Sequence, residues 1–291
     1  MFHIENNVIK VKSNQKISSK DIKQINKFLD QGMNELHLSR YFKYDIDELE
    51  TLDKLEILHL CGYSQKISKL PRNLKEFYCG EVFNQNIDEN FFPNSLEKIV
   101  FSYCFNSTIE KYPDNLKHLE FGKSFNKPIN NLPDKLEELY LFGDFNQTLD
   151  NLPNNLKIIS LFGLNSCKFN HPINNLPLNL QELFLSGEFN QSIDFLPINL
   201  KTIYINSSFN YPIDNLPIGL HKIFFSNYSN FNNSIDNLPD TIEEIVLPDK
   251  YDIMINKLPR NLKKIKINKN YPYMKNLSEK FKDLFEKNII Q

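Results

Sequence analysis

The sequence predicts a repeat solenoid, a chain coiled into stacked turns that each add one short parallel β-strand. Ten prolines, most of them in a Leu-Pro dipeptide, recur every 20 to 24 residues from Pro71 to Pro259. Apolar residues follow each proline three, six and eight places later, ending in the period-two alternation of a strand with one buried face. About twenty residues cannot hold a strand and a long helix with its two turns. The return path between strands is therefore expected to be mostly irregular.

We expect residues 1–41 to close the first end of the solenoid. Residues 2–11 alternate as a strand, and Ser18 and Asp21 form a capping-box pattern that begins a helix. The apolar residues on one face of that helix are Ile22, Ile25, Phe28 and Leu29. A half repeat completes the cap, with its apolar triplet at Met33, Leu36 and Leu38.

Residues 42–267 hold about eleven repeats of 20 to 24 residues, and the clearest unit runs from Phe145 to Leu161. Most repeats begin with a Phe-Asn pair. The phenylalanine is expected to fill a corner of its turn, and the asparagine to bond backbone groups of its own loop and of the next copy. We therefore expect a stacked phenylalanine column and an asparagine ladder, both structural, because a binding site would not need eight copies of itself.

Residues 268–291 are expected to form a helical cap at the second end. Asn276 and Glu279 give another capping-box pattern, here before a helix with one apolar face. The residues of that face are Phe281, Leu284, Phe285 and Ile289. Caps and repeats together are predicted to be one continuous solenoid domain.

Three segments carry the repeat motif in its fullest form. Phe125–Ile129, Phe169–Ile173 and Phe209–Ile213 read Phe-Asn-x-Pro-Ile, each followed by x-Asn-Leu-Pro. These units resemble the Phe-Asn-Ile-Pro (FNIP) repeat family. The resemblance implies a leucine-rich-repeat-like fold and an origin in amoebae or in the giant viruses that infect them.

FNIP repeats often follow an F-box in ubiquitin-ligase adaptors, and such a domain needs about forty-five residues of helices. Only about thirty residues precede the first apolar triplet, and they predict a strand and one helix instead. We therefore do not expect a built-in F-box.

Function is expected on the face of the sheet that lies opposite the core. Residues five and seven places after each proline point to this open face. The column of residues seven places after each proline is rich in aromatic residues near the middle of the chain. Two further aromatic residues, Phe142 and Phe162, lie nine places after their prolines.

The predicted partner-binding residues are Tyr140, Phe142, Phe162, Phe184, Tyr204 and Phe224. A solvated apolar patch of this size typically marks an interaction site, here for an unidentified protein. The alternative is that aromatic residues merely favour strands in a chain from an A+T-rich genome.

Two further functions stay open. One is a structural protein that assembles with itself through its faces or ends. The other uses the basic end, where residues 257–291 hold ten Lys or Arg against three Asp or Glu. Its candidate contacts to nucleic acid or an acidic surface are Lys263, Lys264, Lys266, Lys269, Tyr271 and Tyr273. Because no RNA-binding motif accompanies them, we expect a charged cap and no nucleic-acid partner.

We expect neither an enzyme nor a cofactor. With eight glycines the chain has no phosphate-binding loop, and the serine-hydrolase and zinc-protease motifs are absent from the sequence. His37 and His59 are expected to be neighbours on adjacent strands with Glu35 close by, but no further ligand recurs at metal spacing, so no metal site is expected.

Several features predict a cytoplasmic protein without membrane insertion. No segment approaches the ~18 consecutive apolar residues of a membrane helix, and Glu5 stands where a signal peptide would be apolar. Four cysteines without a C-x-x-C spacing predict free thiols in a reducing compartment, which for a viral protein is the host cell. Cys79 is expected in the core, and Cys167 in an inserted loop where it could be exposed.

Overall fold

The computed structural model describes residues 2–12, 16–42, 44–63, 65–163 and 167–286. It divides into two compact units, Met1–Leu141 and Phe142–Gln291. Each unit is built from turns that contribute one short strand, and successive strands within a unit pair side by side in chain order. The predicted solenoid is therefore confirmed. That both units form one continuous domain stays a prediction.

The first unit holds eight strands, one long helix and a short 3-10 helix among its described residues. β1 and β2 pair antiparallel, and β2 to β8 pair in parallel with neighbours in sequence. The elements are β1 Phe2–Glu5, β2 Val8–Val11, α1 Ser19–Asp30, β3 Glu35–Leu38, the 3-10 helix Asp47–Thr51, β4 Ile57–His59, β5 Glu76–Tyr78, β6 Lys98–Val100, β7 His118–Phe121 and β8 Glu138–Leu141.

The second unit holds six strands and two short helices among its described residues. Its strands are all parallel, and the sheet register places residues at the same repeat position directly opposite one another. The elements are β9 Ile158–Leu161, β10 Glu182–Gly187, β11 Thr202–Ser207, β12 Lys222–Phe225, β13 Glu244–Val246, β14 Lys264–Lys266, α2 Met274–Lys280 and α3 Lys282–Glu286.

The amino-terminal cap contains the predicted helix. Ser18 and Asp21 make both hydrogen bonds of the capping box, and Ile22, Ile25 and Leu29 are buried. Phe28 is half-buried, with its ring 6.2 Å from that of Phe2.

The single strand expected over residues 2–11 is instead a hairpin of β1 and β2. The chain turns at Asn6 and Asn7, which have φ of 50° and 68°. Asparagine tolerates this left-handed conformation better than other non-glycine residues do, so the pair ends one strand and begins the next.

The predicted phenylalanine column runs through the core of both units. In the first unit, Phe83 and Phe105 have ring centroids 6.1 Å apart, and Phe105 and Phe125 are 6.0 Å apart. In the second unit the column runs from Phe145 to Phe231 and continues into two tyrosines. Tyr251 and Tyr271 repeat the spacing, each 6.1 Å from the ring before it. The tyrosines follow the same interval of about twenty residues, so the sequence also contained this signal.

The predicted asparagine ladder is also confirmed. The backbone N–H of Asn190 donates to Oδ1 of Asn170 at 2.9 Å, and that of Asn210 donates to Oδ1 of Asn190 at 3.0 Å. The same bond joins further pairs in both units and ends at Asp252, whose N–H donates to Asn232. Each asparagine thus satisfies a backbone group of the next repeat.

The carboxy-terminal cap differs from the prediction. The helix begins at Met274, directly after the turn that follows buried Tyr271, so Asn276 lies inside its first turn. The helix ends at Lys280, and Phe281 separates it from α3. Leu277 is the buried residue of α2, while Phe281, Leu284 and Phe285 are half-buried. Ile289 lies outside the described residues.

The cysteines follow the prediction in part. All four are free, and Cys79 is buried in the core as expected. Cys167 was expected in an inserted loop where it could be exposed, but it is fully buried beside the end of β10, where the N–H of Glu188 donates to its carbonyl at 2.8 Å. Burial raises the pKa of both thiols, so neither is an activated nucleophile.

Candidate functional site

Each parallel strand places alternate residues on the open face, defined as the sheet face opposite the core. Leu139 and Leu141 of β8 are buried, whereas Glu138 and Tyr140 between them are half-buried. The same alternation holds for most strands of both units. The predicted assignment of the open-face columns is therefore correct for most of the described strands, and β9 departs from it because Ser160 is buried.

The second unit carries three stacked rings on its open face. The register sets Phe184 opposite Tyr204, and Tyr204 opposite Phe224. The Phe184 and Tyr204 rings are parallel within 3°, with centroids 4.4 Å apart, and those of Tyr204 and Phe224 are 4.8 Å apart. We call Phe184, Tyr204 and Phe224 the aromatic stack. Stacking buries the ring faces against each other and leaves each ring half-buried.

Polar groups border the aromatic stack on both sides. On one side Lys222 and Lys264 each approach Glu244 at 3.8 Å. On the other, the Ser226 hydroxyl donates to Oδ1 of Asn206 at 2.6 Å. Burial, aided by Glu182 and Glu244, raises the pKa of Tyr204, so its hydroxyl remains a neutral donor. An apolar centre with a polar rim is the usual composition of a protein interface.

The other three predicted binding residues do not join this stack among the contacts described. Phe142 and Phe162 are half-buried just beyond the ends of β8 and β9. Tyr140 belongs to the first unit, where its hydroxyl donates to Glu138 at 3.2 Å and its ring centroid lies 5.0 Å from that of His118. The structure thus brings together half of the predicted set.

The open face of the first unit is more polar. Glu35 and His37 alternate on β3, and the register sets His59 of β4 opposite His37. Oε1 of Glu35 is 2.5 Å from Nε2 of His37 and 3.1 Å from Nε2 of His59. We call Glu35, His37 and His59 the histidine cluster. Burial, reinforced by His37, lowers the pKa of His59 to about 4, so this imidazole is neutral at pH 7.

Tyr78 of β5 lies directly opposite His59 of the histidine cluster. Its ring lies parallel to that of His59 within 5°, with centroids 4.0 Å apart, and its hydroxyl donates to Oε2 of Glu76 at 2.6 Å. Beside these rings is an open depression of about 410 Å³. Its lining includes His59, Tyr78, Arg40, Cys61 and Glu81.

The second unit has a second apolar surface, which was not predicted from the sequence. Leu178, Ile198 and Ile218 each follow the repeat proline, in the turn that leads into the strand, and are 66%, 53% and 69% exposed. We call these three residues the aliphatic column. The other repeats have a polar residue at this place: Arg72, Asn94, Asp114, Asp134, Asn154, Asp240 and Arg260. That contrast was the signal available in the sequence.

The basic end is less available to nucleic acid than its sequence suggested. Tyr271 is buried at the end of the phenylalanine column, so its ring has no free face for a base. Its hydroxyl accepts from the N–H of Ile255 at 3.1 Å and donates to the carbonyl of Ile253 at 2.7 Å. Lys263 pairs with Glu243 at 2.9 Å, while Lys266 and Lys269 are exposed.

Comparison with known proteins supports the repeat assignment. The FNIP Repeat family model matches residues 63–104, 105–144 and 189–228. No curated protein matches the chain. Among solved structures, CroV588 of the giant virus CroV, a circular leucine-rich-repeat protein, is 31% identical with a TM-score of 0.63 over 81% of this chain. This chain spans only 40% of the CroV588 chain.

Two bacterial structures are more distant. A leucine-rich-repeat protein of Leptospira interrogans is 16% identical with a TM-score of 0.46, over 92% of this chain and 86% of its own. YopM of Yersinia enterocolitica is 17% identical with a TM-score of 0.26, over 80% and 69%. Among the described helices, none has the length and apolar content needed to cross a membrane.

Proposed function

We propose that this chain is a non-catalytic interaction module that binds a partner protein on the open face of its sheet. Three of its segments match the FNIP Repeat family model, and its fold is leucine-rich-repeat-like. Repeat folds of this kind typically serve protein interaction, since stacked repeats present an extended surface. We propose the aromatic stack as the centre of contact, with Tyr140, Phe142 and Phe162 as further contacts.

One observation carries this proposal, namely the aligned rings of Phe184, Tyr204 and Phe224 inside a polar rim. Rings locked by stacking lose little conformational entropy when a partner covers them. Their apolar edges and the Tyr204 hydroxyl suit a partner that offers apolar side chains and a hydrogen-bond acceptor.

The test is to replace Tyr140, Phe184 and Tyr204 together by serine and compare the proteins captured from cell extract. Serine stands at the same repeat position in Ser160, so the fold is expected to tolerate it. Capture of the specific partner is expected to fall by about tenfold or more, since aromatic hot spots dominate interface energies. Far-UV circular dichroism checks that the variant is folded.

The matched control replaces the aliphatic column by residues that other repeats use at that place, as Leu178→Asn, Ile198→Asp and Ile218→Asp. This control variant is expected to capture the partner as well as the unmodified protein does. Equal capture by the folded serine variant would contradict the proposal.

The aliphatic column favours a second candidate function, self-association into a scaffold. Three neighbouring aliphatic side chains that are more than half exposed form a patch that a monomer leaves in water. If this patch joins copies, light scattering will report an oligomer for the unmodified protein and a monomer for the Leu178→Asn, Ile198→Asp, Ile218→Asp variant. A monomeric unmodified protein at all concentrations would rule this function out.

The setting that we propose is intracellular, in the host cell if the protein is viral. The four free cysteines fit a reducing compartment, and the buried, unactivated thiols of Cys79 and Cys167 fit a protein without catalysis. Nucleic-acid binding is the least favoured hypothesis, because Tyr271 is buried and Lys263 is paired with Glu243, which removes part of the surface that would contact a nucleic acid.

A further inference from the structure

We infer that the histidine cluster on the open face of the first unit is a binding site for one zinc ion. Its three potential ligand atoms are Oε1 of Glu35 and Nε2 of both His37 and His59, and all lie within 4.8 Å of one another. This site shares no residue with the proposed partner-binding set. It also departs from the sequence expectation that no metal is bound.

The fold itself brings the three ligands together. Glu35 and His37 are two residues apart on β3 and so project from the same face, while His59 lies directly opposite His37 on β4. Both imidazoles turn Nε2 toward the same carboxylate oxygen. The ring of Tyr78 covers one side of His59 at 4.0 Å and holds its plane.

The spacing of the ligand atoms suits a tetrahedral ion. Ligands ~2.0–2.1 Å from zinc in tetrahedral geometry are about 3.4 Å apart. The two distances measured from Oε1 of Glu35, 2.5 Å and 3.1 Å, are slightly shorter, so small side-chain rotations admit the ion. The hydrogen bonds through Glu35 keep the three groups gathered before the ion arrives.

The donor set selects zinc over the common alkaline-earth ions. Two imidazole nitrogens and one carboxylate oxygen match the three-ligand zinc sites that leave a fourth position to water. Magnesium and calcium prefer oxygen ligands. The three side chains are 25% to 27% exposed, and His59 lines the open depression, so solvent and the ion can reach the site.

The experiment titrates zinc chloride into the full, tag-free protein by isothermal calorimetry and follows thermal unfolding with and without zinc. The unmodified protein is expected to bind one ion and to unfold at a higher temperature when zinc is present, an effect that EDTA reverses. Glu35→Gln, His37→Gln and His59→Gln are each expected to weaken binding by about tenfold or more and to remove the zinc-dependent thermal shift.

His118→Gln is the matched control, since His118 is a half-buried histidine of the same unit with its Nδ1 2.8 Å from Glu138. Cys61→Ser removes the exposed thiol beside the depression. Both variants are expected to keep full zinc binding. Circular dichroism without zinc checks that each variant is folded. If His59→Gln does not fold, zinc binding by Glu35→Gln and His37→Gln tests the inference.

Three results would overturn the inference. The first is an unmodified protein that binds no zinc in the micromolar range. The second is unchanged binding by the folded Glu35→Gln and His37→Gln variants, which would mean adventitious binding elsewhere. The third is loss of binding in Cys61→Ser or His118→Gln.

Discussion

At the scale of single residues, position in the repeat decides whether a side chain folds the chain or is free for function. The aromatic residues show this most clearly. Phe189 stands in the phenylalanine column and is fully buried, whereas Phe184, five residues earlier, lies half-buried on the open face. Chemically identical side chains thus have different roles, and the register of the repeat separates them.

The asparagine ladder gives a prediction about one acceptor atom. Asn190→Ala removes the oxygen that accepts the N–H of Asn210, and we expect the free energy of unfolding to fall by about 1 kcal/mol. Asn190→Asp keeps an oxygen at that place and is expected to retain most of the stability. Urea unfolding measures both variants.

The control for the ladder is Asn175→Ala, which changes an exposed asparagine of the return path that has no hydrogen bond among the described residues. It is expected to shift stability by less than about 0.5 kcal/mol. If Asn190→Ala is no more destabilising than this control, the ladder does not stabilise the repeat.

At the scale of elements, the column of stacked rings ties each turn to the next. Phe189 lies 6.1 Å from Phe169 and 6.2 Å from Phe209, so it contacts both neighbouring repeats. Phe189→Ala leaves a cavity between three turns, and we expect the free energy of unfolding to fall by about 3–5 kcal/mol. Thermal or urea unfolding followed by circular dichroism measures the change.

Phe195→Ala is the matched control, because Phe195 lies in the return path of the same repeat but is 68% exposed. It is expected to change stability by at most about 0.5 kcal/mol. Similar losses of stability for both variants would show that the phenylalanine column contributes no more to stability than an exposed residue of the same repeat does.

The elements also show why parts of the fold were predictable and others were not. The strands follow from alternation and the repeat interval, and the first helix follows from the capping box of Ser18 and Asp21. The hairpin at Asn6 and Asn7 did leave a trace in the sequence, which the prediction of one strand overlooked. The apolar positions change phase at the turn, from Phe2 and Ile4 to Ile9 and Val11, and the register places these two pairs opposite each other. The start of α2 depends on the tertiary anchor of Tyr271, which a local capping pattern cannot reveal.

The candidate site was also predictable from the sequence only in part. The repeat register alone predicted that Phe184, Tyr204 and Phe224 would be neighbours. It also predicted that His37 and His59 would lie side by side. The convergence of both imidazoles on one oxygen of Glu35 depends on side-chain rotation, which repeat position does not determine. The aliphatic column was not predicted because only the strand positions five and seven places after the proline were considered for the open face.

At the scale of the whole molecule, each unit presents a different chemistry on its open face. The first unit has the histidine cluster and the second has the aromatic stack. A repeat protein can vary these outward columns, because the inward columns and the asparagine ladder maintain the fold. We therefore propose that a partner protein contacts the open face of the second unit.

Site-specific photo-crosslinking tests this claim most directly. Tyr204 is replaced by the photoreactive residue benzoylphenylalanine in one protein, and exposed Phe195 is replaced in another as the comparison site. After irradiation in cells, we expect mass spectrometry to find a discrete partner joined through position 204 and not through position 195. A partner joined only through position 195, or none through position 204 in the folded protein, would contradict it.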